Sequence, residues 1–334
     1  MARPWVAAAS LGGTITMTSA SADGRGGRPS LSAEQLLTSV PSLADVAQLR
    51  TTTFSTLPGA SLTFDDVVRA LHWARTEVAD GVSGAILIQG TDTIEETAYL
   101  LDLYWDQPAP LVVTGAMRSS QMPGADGPAN LLAAVRVAAA DISRRRGVLV
   151  VMNDEIHAAR RTRKIRASGP AAFASQSFGP VGYLDEGQPV YASSGEARRA
   201  LPLPNPFVTP QVALVETFLG DNGEILDALC TTNTFRGVVL AGFGVGHVSS
   251  AMADVVEKAA GSVLVVLATR TGAGSTHYNS YSFDGSESDL ISRGAIPAGW
   301  LDARKARVLL TCLLAAGCAE SDIRAEFARR NRTL

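Results

Sequence analysis

Three short stretches of this chain limit its fold more than any other feature: "GAILIQG" at 84–90, "PLVVTGAM" at 110–117 and "RGVLVVMND" at 146–154. Each is rich in Val, Ile and Leu, and none alternates apolar with polar residues. A strand with one wet face alternates, whereas a strand buried on both faces does not. Between them run helix-like segments, "IEETAYLLDLYW" and "GPANLLAAVRVAAADI". Buried strands alternating with helices predict a parallel sheet covered on both faces. The first apolar run, from Val6 to Gly12, supplies one more strand.

The alternation stops around 184–211, where "DEGQPVYASSGEARRALPLPNPFVTPQ" is rich in Pro, Gly and charge, as a linker is. It resumes with "VALVETF", "GVVLAGFGVG", "GSVLVVLATRTG" and a closing helix in "DARKARVLLTCLLAAG". The expected organisation is α/β throughout: a larger domain over 1–190, a linker over 191–211 and a smaller α/β domain over 212–334.

Bulk properties exclude several function classes. Charged residues make up 18% of the 334 and the net charge is −3, so nothing marks an electrostatic nucleic-acid binder. No apolar run approaches the roughly 20 residues that span a bilayer, and no secretory leader is evident at the start. Cys230, Cys312 and Cys318 are few and lack metal spacing. A reduced, cytoplasmic protein without a metal is the expectation.

In a parallel α/β sheet the ligand lies beyond the carboxyl ends of the strands. The residues there are Gly12-Gly13-Thr14, Gly90-Thr91-Asp92-Thr93, Gly115-Ala116-Met117-Arg118 and Asn153-Asp154. The sequence contains no G-x-S-x-G elbow, H-E-x-x-H, Walker A loop or G-x-G-x-x-G after the first strand. Its histidines, His72, His157, His247 and His277, lie scattered. What remains is threonine hydroxyls, an acid and a lysine. A threonine hydroxyl needs a base or a relay to act as a nucleophile. A lysine can supply one where desolvation or a neighbouring cation tunes it. Only three lysines occur, and Lys164 stands among Arg160, Arg161, Arg163 and Arg166.

Each feature alone has a plainer explanation. Gly-Gly-Thr is commonly a tight turn. Thr91-Asp92 ahead of "IEETAYLL" suits a helix cap. A lysine among arginines is commonly a solvated face, and His247 reads as a loop residue. The joint pattern carries more. The stretches "SLGGTI" (10–15), "QGTDTIEETAYLLDL" (89–103), "VTGAMR" with "GADGPANL" (113–131), "GVLVVMNDEIHAARRTRK" (147–164) and "GSESDLISRGAIPAGWLDARKARVLL" (285–310) closely resemble the bacterial-type L-asparaginases over nearly the whole chain.

That resemblance implies a larger N-terminal flavodoxin-like domain, a smaller C-terminal α/β domain and a homotetramer of intimate dimers with active sites between subunits. It implies hydrolysis of the side-chain amide of L-asparagine, often also of L-glutamine, without metal or organic cofactor. By match to the family, Thr14 is the nucleophile. Thr91, Asp92 and Lys164 form a relay, with Asp92 also holding the substrate's α-ammonium. Ala116 offers a backbone contact to the side-chain amide, and the glycine-rich segment 18–30 is a mobile lid.

The chain departs from the family at several points. No Tyr occurs in 15–35, where many members carry a lid tyrosine. Tyr281, rather than Tyr278, is the expected substitute, with Ser21, Asp23 and Glu287 next in line. The grip on the α-carboxylate aligns with "LPGAS", giving Gly59, Ala60 and Ser61. Val245 and His247 replace an asparagine-bearing loop. Alternatives are a broader glutaminase-asparaginase, the amide-cleaving subunit of a tRNA amidotransferase, and a non-catalytic amino-acid-binding homologue. A mere binder, however, needs no nucleophile.

Overall fold

The structure is a computed structural model that describes residues 3–18, 28–193, 195 and 199–332. Its chain divides into two compact units, Met1–Leu201 and Pro202–Leu334. The sheet of the first unit contains β1 (Trp5–Gly12), β2 (Gln48–Leu57), β3 (Gly84–Ile88), β4 (Leu111–Thr114), β5 (Val148–Met152), β6 (Glu155–Ala158), β7 (Gly182–Asp185) and β8 (Gln188–Tyr191). Their spatial order is β8-β7-β6-β5-β4-β3-β1-β2. The run from β2 to β5 is parallel; β6, β7 and β8 extend it antiparallel.

Every residue of β3, β4 and β5 is buried, as their unbroken apolar pattern requires. Helices α1 (Ala33–Thr38), α2 (Leu43–Val46), α3 (Phe64–Ala79), α4 (Ile94–Tyr104) and α5 (Gly127–Ala139) follow in chain order. On one face Val6, Ala8, Ile86, Ile88, Val112 and Leu149 meet Leu36, Leu43, Leu131 and Val135 of α1, α2 and α5. Residues pointing the other way, such as Ala7 and Leu87, are buried too, and α3 and α4 pack against the sheet without joining that cluster.

The parallel part has the order 2-1-3-4-5, so the chain reverses direction of build between β1 and β3. Connections leave those two strands on opposite sides and open a crevice at their carboxyl ends. That is where Gly13-Thr14 and Gly90-Thr91-Asp92 lie.

Two expected features differ. The segment read as the start of a linker, 184–211, begins inside a hairpin: Gly182–Asp185 pairs with Gln188–Tyr191 across Glu186 (φ 46°) and Gly187 (φ 74°). Left-handed residues at both turn positions match the twist of a two-residue hairpin. Tyr191, expected as the first linker residue, is held by its hydroxyl on Ser143 (2.8 Å) and by Arg146 over its ring. Asn153 and Asp154, with φ of 55° and 59°, turn β5 into antiparallel β6.

The second unit has its own parallel sheet in chain order: β9 (Val212–Glu216), β10 (Gly237–Gly242), β11 (Leu264–Thr269) and β12 (Ile296–Pro297). Helices α6 (Glu224–Thr231), α7 (Ser250–Ala260), α8 (Glu287–Ser292), α9 (Ala303–Ala315) and α10 (Glu320–Arg332) accompany it. Its core gathers Val238, Leu240, Val256, Val265 and Leu267. The expected closing helix is α9, but α10 follows it. None of the described helices is long and apolar enough to cross a membrane.

Candidate active site

Backbone crowding builds the crevice. A Cβ on Gly13 would stand 2.1 Å from the amide nitrogen of Gly90, and one on Gly59 would stand 2.8 Å from the Gly90 carbonyl oxygen. The chain segments that leave β1, β2 and β3 thus pack main chain against main chain, which only residues without side chains permit. Gly13 also has φ 92°. Thr14 and Thr91 each directly follow one of two glycines in contact.

Thr14 opens a single 3₁₀ turn, Thr14–Thr16. Thr16 fixes that turn by donating its amide (3.0 Å) and its hydroxyl (2.8 Å) to the Gly13 carbonyl. Thr14 itself is half-buried. Residues 19–27, which hold most of the expected lid together with Ser21 and Asp23, lie outside the described residues.

Thr91–Thr93 forms a second 3₁₀ turn ahead of α4, and neither Thr91 nor Asp92 makes the capping contact considered for them. Their side chains instead meet Lys164. Its Nζ donates to Thr91 Oγ1 at 2.9 Å and to Asp92 Oδ1 at 3.3 Å. Thr91 is buried; the Lys164 side chain is 17% exposed and that of Asp92 57%. Lys164 is therefore not a solvated surface residue, although Arg163 and Arg166 neighbour it in sequence. Burial, aided by the adjacent Arg160, lowers the Arg161 pKa to about 10, and its guanidinium lies 4.1 Å over the Phe178 ring.

Gly59–Ser61 makes a third 3₁₀ turn. Gly59 is buried and its carbonyl accepts from Thr93 Oγ1 (3.0 Å), which in turn accepts from Gln89 Nε2 (3.3 Å). Ala60 and Ser61 are exposed, and the Ser61 amide is spent on the Pro58 carbonyl. Ala116 is buried beside the same edge. Its loop is fixed by Asp126, which accepts the amides of Met117 (2.9 Å) and Arg118 (2.8 Å), and by Asn130 Nδ2, which donates to the Gly115 carbonyl (3.0 Å).

Glu95, Asp126 and Asn130 escaped sequence reasoning. Glu95 is buried and accepts the Lys164 amide at 3.3 Å. Its signal was the paired acid of "TDTIEETA", and that of the other two was "GADGPAN", both read only as motif text. Among the described residues no three His, Cys, Asp or Glu side chains gather to hold a metal ion.

The sequence of the first unit matches the family described as Asparaginase, N-terminal, over residues 5–196. Residues 211–327 match the Glutaminase/Asparaginase C-terminal domain. The chain belongs to the asparaginase family. Its relatives include a "Probable L-asparaginase" of Deinococcus radiodurans, 34% identical over 332 residues and covering 98% of each chain. "L-asparaginase 2" of Escherichia coli is 33% identical, covering 84% of this chain and 80% of that one. A crystal structure titled probable cytoplasmic L-asparaginase from Campylobacter jejuni superposes with a TM-score of 0.87 at 27% identity, covering 98% of this chain and 99% of that one. Asparaginases are amidohydrolases, so the crevice belongs to a hydrolytic fold.

In the second unit of this asparaginase-family chain, Tyr281 lies on the loop before α8. Its amide and that of Ser280 donate to Glu287 Oε1 at 2.9 and 2.6 Å, while His247 Nε2 meets Glu287 Oε2 at 3.1 Å. Burial works to raise the Glu287 pKa, but the amides of Tyr281 and Ser280 and the His247 contact outweigh it, so the carboxyl is lowered. The His247 ring packs edge-on against Tyr281 at 4.9 Å. His247 is thus a tied partner of a buried carboxylate, not a plain loop residue. Tyr278, the competing candidate, accepts at its hydroxyl oxygen from Asn331 Nδ2 at 2.7 Å.

Proposed function

We propose that the protein hydrolyses the side-chain amide of L-asparagine through Thr14 as nucleophile. The observation that carries this reading is the Lys164 ammonium joining Thr91 and Asp92 at the switch point, beside the Gly13–Gly90 contact that precedes Thr14. In the first step Thr14 Oγ bonds to the amide carbon and the C–N bond breaks. Ammonia leaves carrying the proton the hydroxyl lost, and a β-aspartyl ester remains on Thr14. In the second step water adds to the ester carbon, its proton returns to Thr14 Oγ, and aspartate departs. Thr91, Lys164 and Asp92 pass the protons. Base action needs Lys164 as an amine, in which state the Thr91 hydroxyl donates to it.

Asp92, the most exposed of the three, holds the α-ammonium. The Gly59–Ser61 turn faces the α-carboxylate, and the Ala116 main chain contacts the side-chain amide. Tyr281 supplies the phenol absent from the lid. The working form is a cytoplasmic homotetramer of intimate dimers. The test is ammonia release from L-asparagine, L-glutamine and buffer alone by the wild type and Thr14→Ala. Loss of turnover in a folded mutant is expected. A mutant keeping a tenth of wild-type kcat would refute the assignment of Thr14.

A further inference from the structure

Lys164 sits on very little secondary structure. Arg163–Lys164 pairs with Phe173–Ala174 in a ladder of two residues, Lys164 opposite Phe173. The Ile165 amide extends it by donating to the Ala172 carbonyl at 2.8 Å. So short a ribbon is not stable by itself. It is nonetheless required to hold an ammonium 2.9 Å from one oxygen and 3.3 Å from another. One support is Glu95 of α4, on the Lys164 amide. The other arm of the ribbon ends one residue later at Ser175, whose Oγ lies 3.0 Å from His157 Nδ1.

His157 belongs to β6, opposite Val150 of β5, and is wholly buried, as is nearly all of Ser175. The contact therefore closes a loop of chain that leaves the rigid sheet at His157, carries Lys164, and returns at Ser175. We infer that His157 and Ser175 are positioning residues for Lys164, clasping the free arm of its ribbon to the sheet. The inference rests on the relay role proposed for Lys164.

The chemistry of the clasp suits that task. Burial lowers the His157 pKa to about 4, so the ring is neutral in ordinary buffers. A serine hydroxyl can donate or accept, and either tautomer preserves the link. The Ser175 carbonyl also accepts the amides of Phe178 (3.1 Å) and Gly179 (2.7 Å), fixing the chain beyond it. Glu155 Oε2 lies 3.1 Å from His157 Nε2, a close approach without hydrogen-bond alignment. Ser175, His157 and Glu155 thus line up much as a hydrolytic triad does. Burial of both the serine and the histidine denies a substrate access, so the row is a fastening and not a second catalytic centre.

Displacing a catalytic group by an ångström can cost about 10²-fold in rate. Ser175→Ala removes the clasp and little volume, and is expected to lower kcat about tenfold while KM changes less than about twofold. In a Lys164→Met background the same change is expected to cost nothing further, because there is no ammonium left to place. Wild-type kcat in Ser175→Ala, or an equal loss in both backgrounds, would overturn the inference. Wild-type kcat in Lys164→Met would instead overturn the relay, and the clasp's catalytic role with it. Should Ser175→Ala fail to fold, Ser175→Cys, with similar size and a weak S–H donor, serves with a smaller expected loss.

Discussion

The chain's three lysines differ entirely in their surroundings. Lys258 reaches Asp227 at 2.7 Å on the surface. Lys305, in the first turn of α9, is fully buried with its ammonium on Asp302 at 2.7 Å. Lys164 meets a buried hydroxyl and a more exposed carboxylate together. Lys164→Met and Thr91→Val are each expected to lower kcat by about 10²-fold or more. The double mutant should lose little beyond the worse single one, since relay members act as a unit. Multiplicative losses in steady-state kinetics would show independent roles. Tyr281→Phe is expected to lower kcat and Tyr278→Phe to leave it unchanged, because the Tyr278 hydroxyl is committed to Asn331. Equal effects would refute the role proposed for Tyr281. His157 gives a pH signature of stability. Its folded pKa is about 4 against 6.5 for the free side chain. Between those values the unfolded chain holds one more proton than the native one, so stability falls as pH drops from about 6.5 to about 4. The loss is on the order of 3 kcal/mol when complete. Urea midpoints across that range should show this slope, and His157→Gln should flatten it.

At the scale of elements, three 3₁₀ turns at the ends of β1, β2 and β3 do what long loops do elsewhere. They keep hydroxyls and amides at one sheet edge by letting glycine main chains touch. Gly13 and Gly81 both have φ 92°, but Gly13, at ψ −173°, also lies in a region that only glycine adopts. A Cβ on Gly81 meets nothing within 4 Å, while one on Gly13 meets the Gly90 backbone at 2.1 Å. Gly81→Ala is expected to cost about 1 kcal/mol, the ordinary penalty of a left-handed residue, with kcat unchanged. Gly13→Ala should cost several times more and abolish activity, because backbone on both sides must move. Comparable unfolding midpoints for the two variants would contradict the close packing of the crevice.

At the scale of the whole molecule, each unit has its own sheet and its own buried core. A fragment spanning Pro202–Leu334 is therefore expected to unfold cooperatively by itself, as followed by circular dichroism. The same fragment should release no ammonia, since Thr14, Thr91, Asp92 and Lys164 all lie in the first unit. Light scattering on the intact protein is expected to give four times the 34.9 kDa chain mass. A monomer would end the tetramer proposal while leaving the crevice of the first unit as described.

Strand identity, the parallel sheet and the residues at its carboxyl edge were legible in the sequence, because fully buried strands leave unbroken runs of Val, Ile and Leu. The roles proposed for Thr91 and Asp92 came instead from the resemblance of "GTDTIEETA" to the family. The hairpins of 148–158 and 182–191 were not legible. Their turns depend on left-handed residues such as Asn153, Asp154 and Glu186, and "DEGQ" has the composition of a linker as much as of a hairpin turn. Nor could linear spacing relate Lys164 to Thr91, 73 positions away, or reveal that Glu95, Ser175 and His157 hold its ribbon. Local pattern records which face of an element is dry. Which distant polar groups meet is decided by the order in which strands are laid into the sheet, and that order is fixed only when the whole core packs.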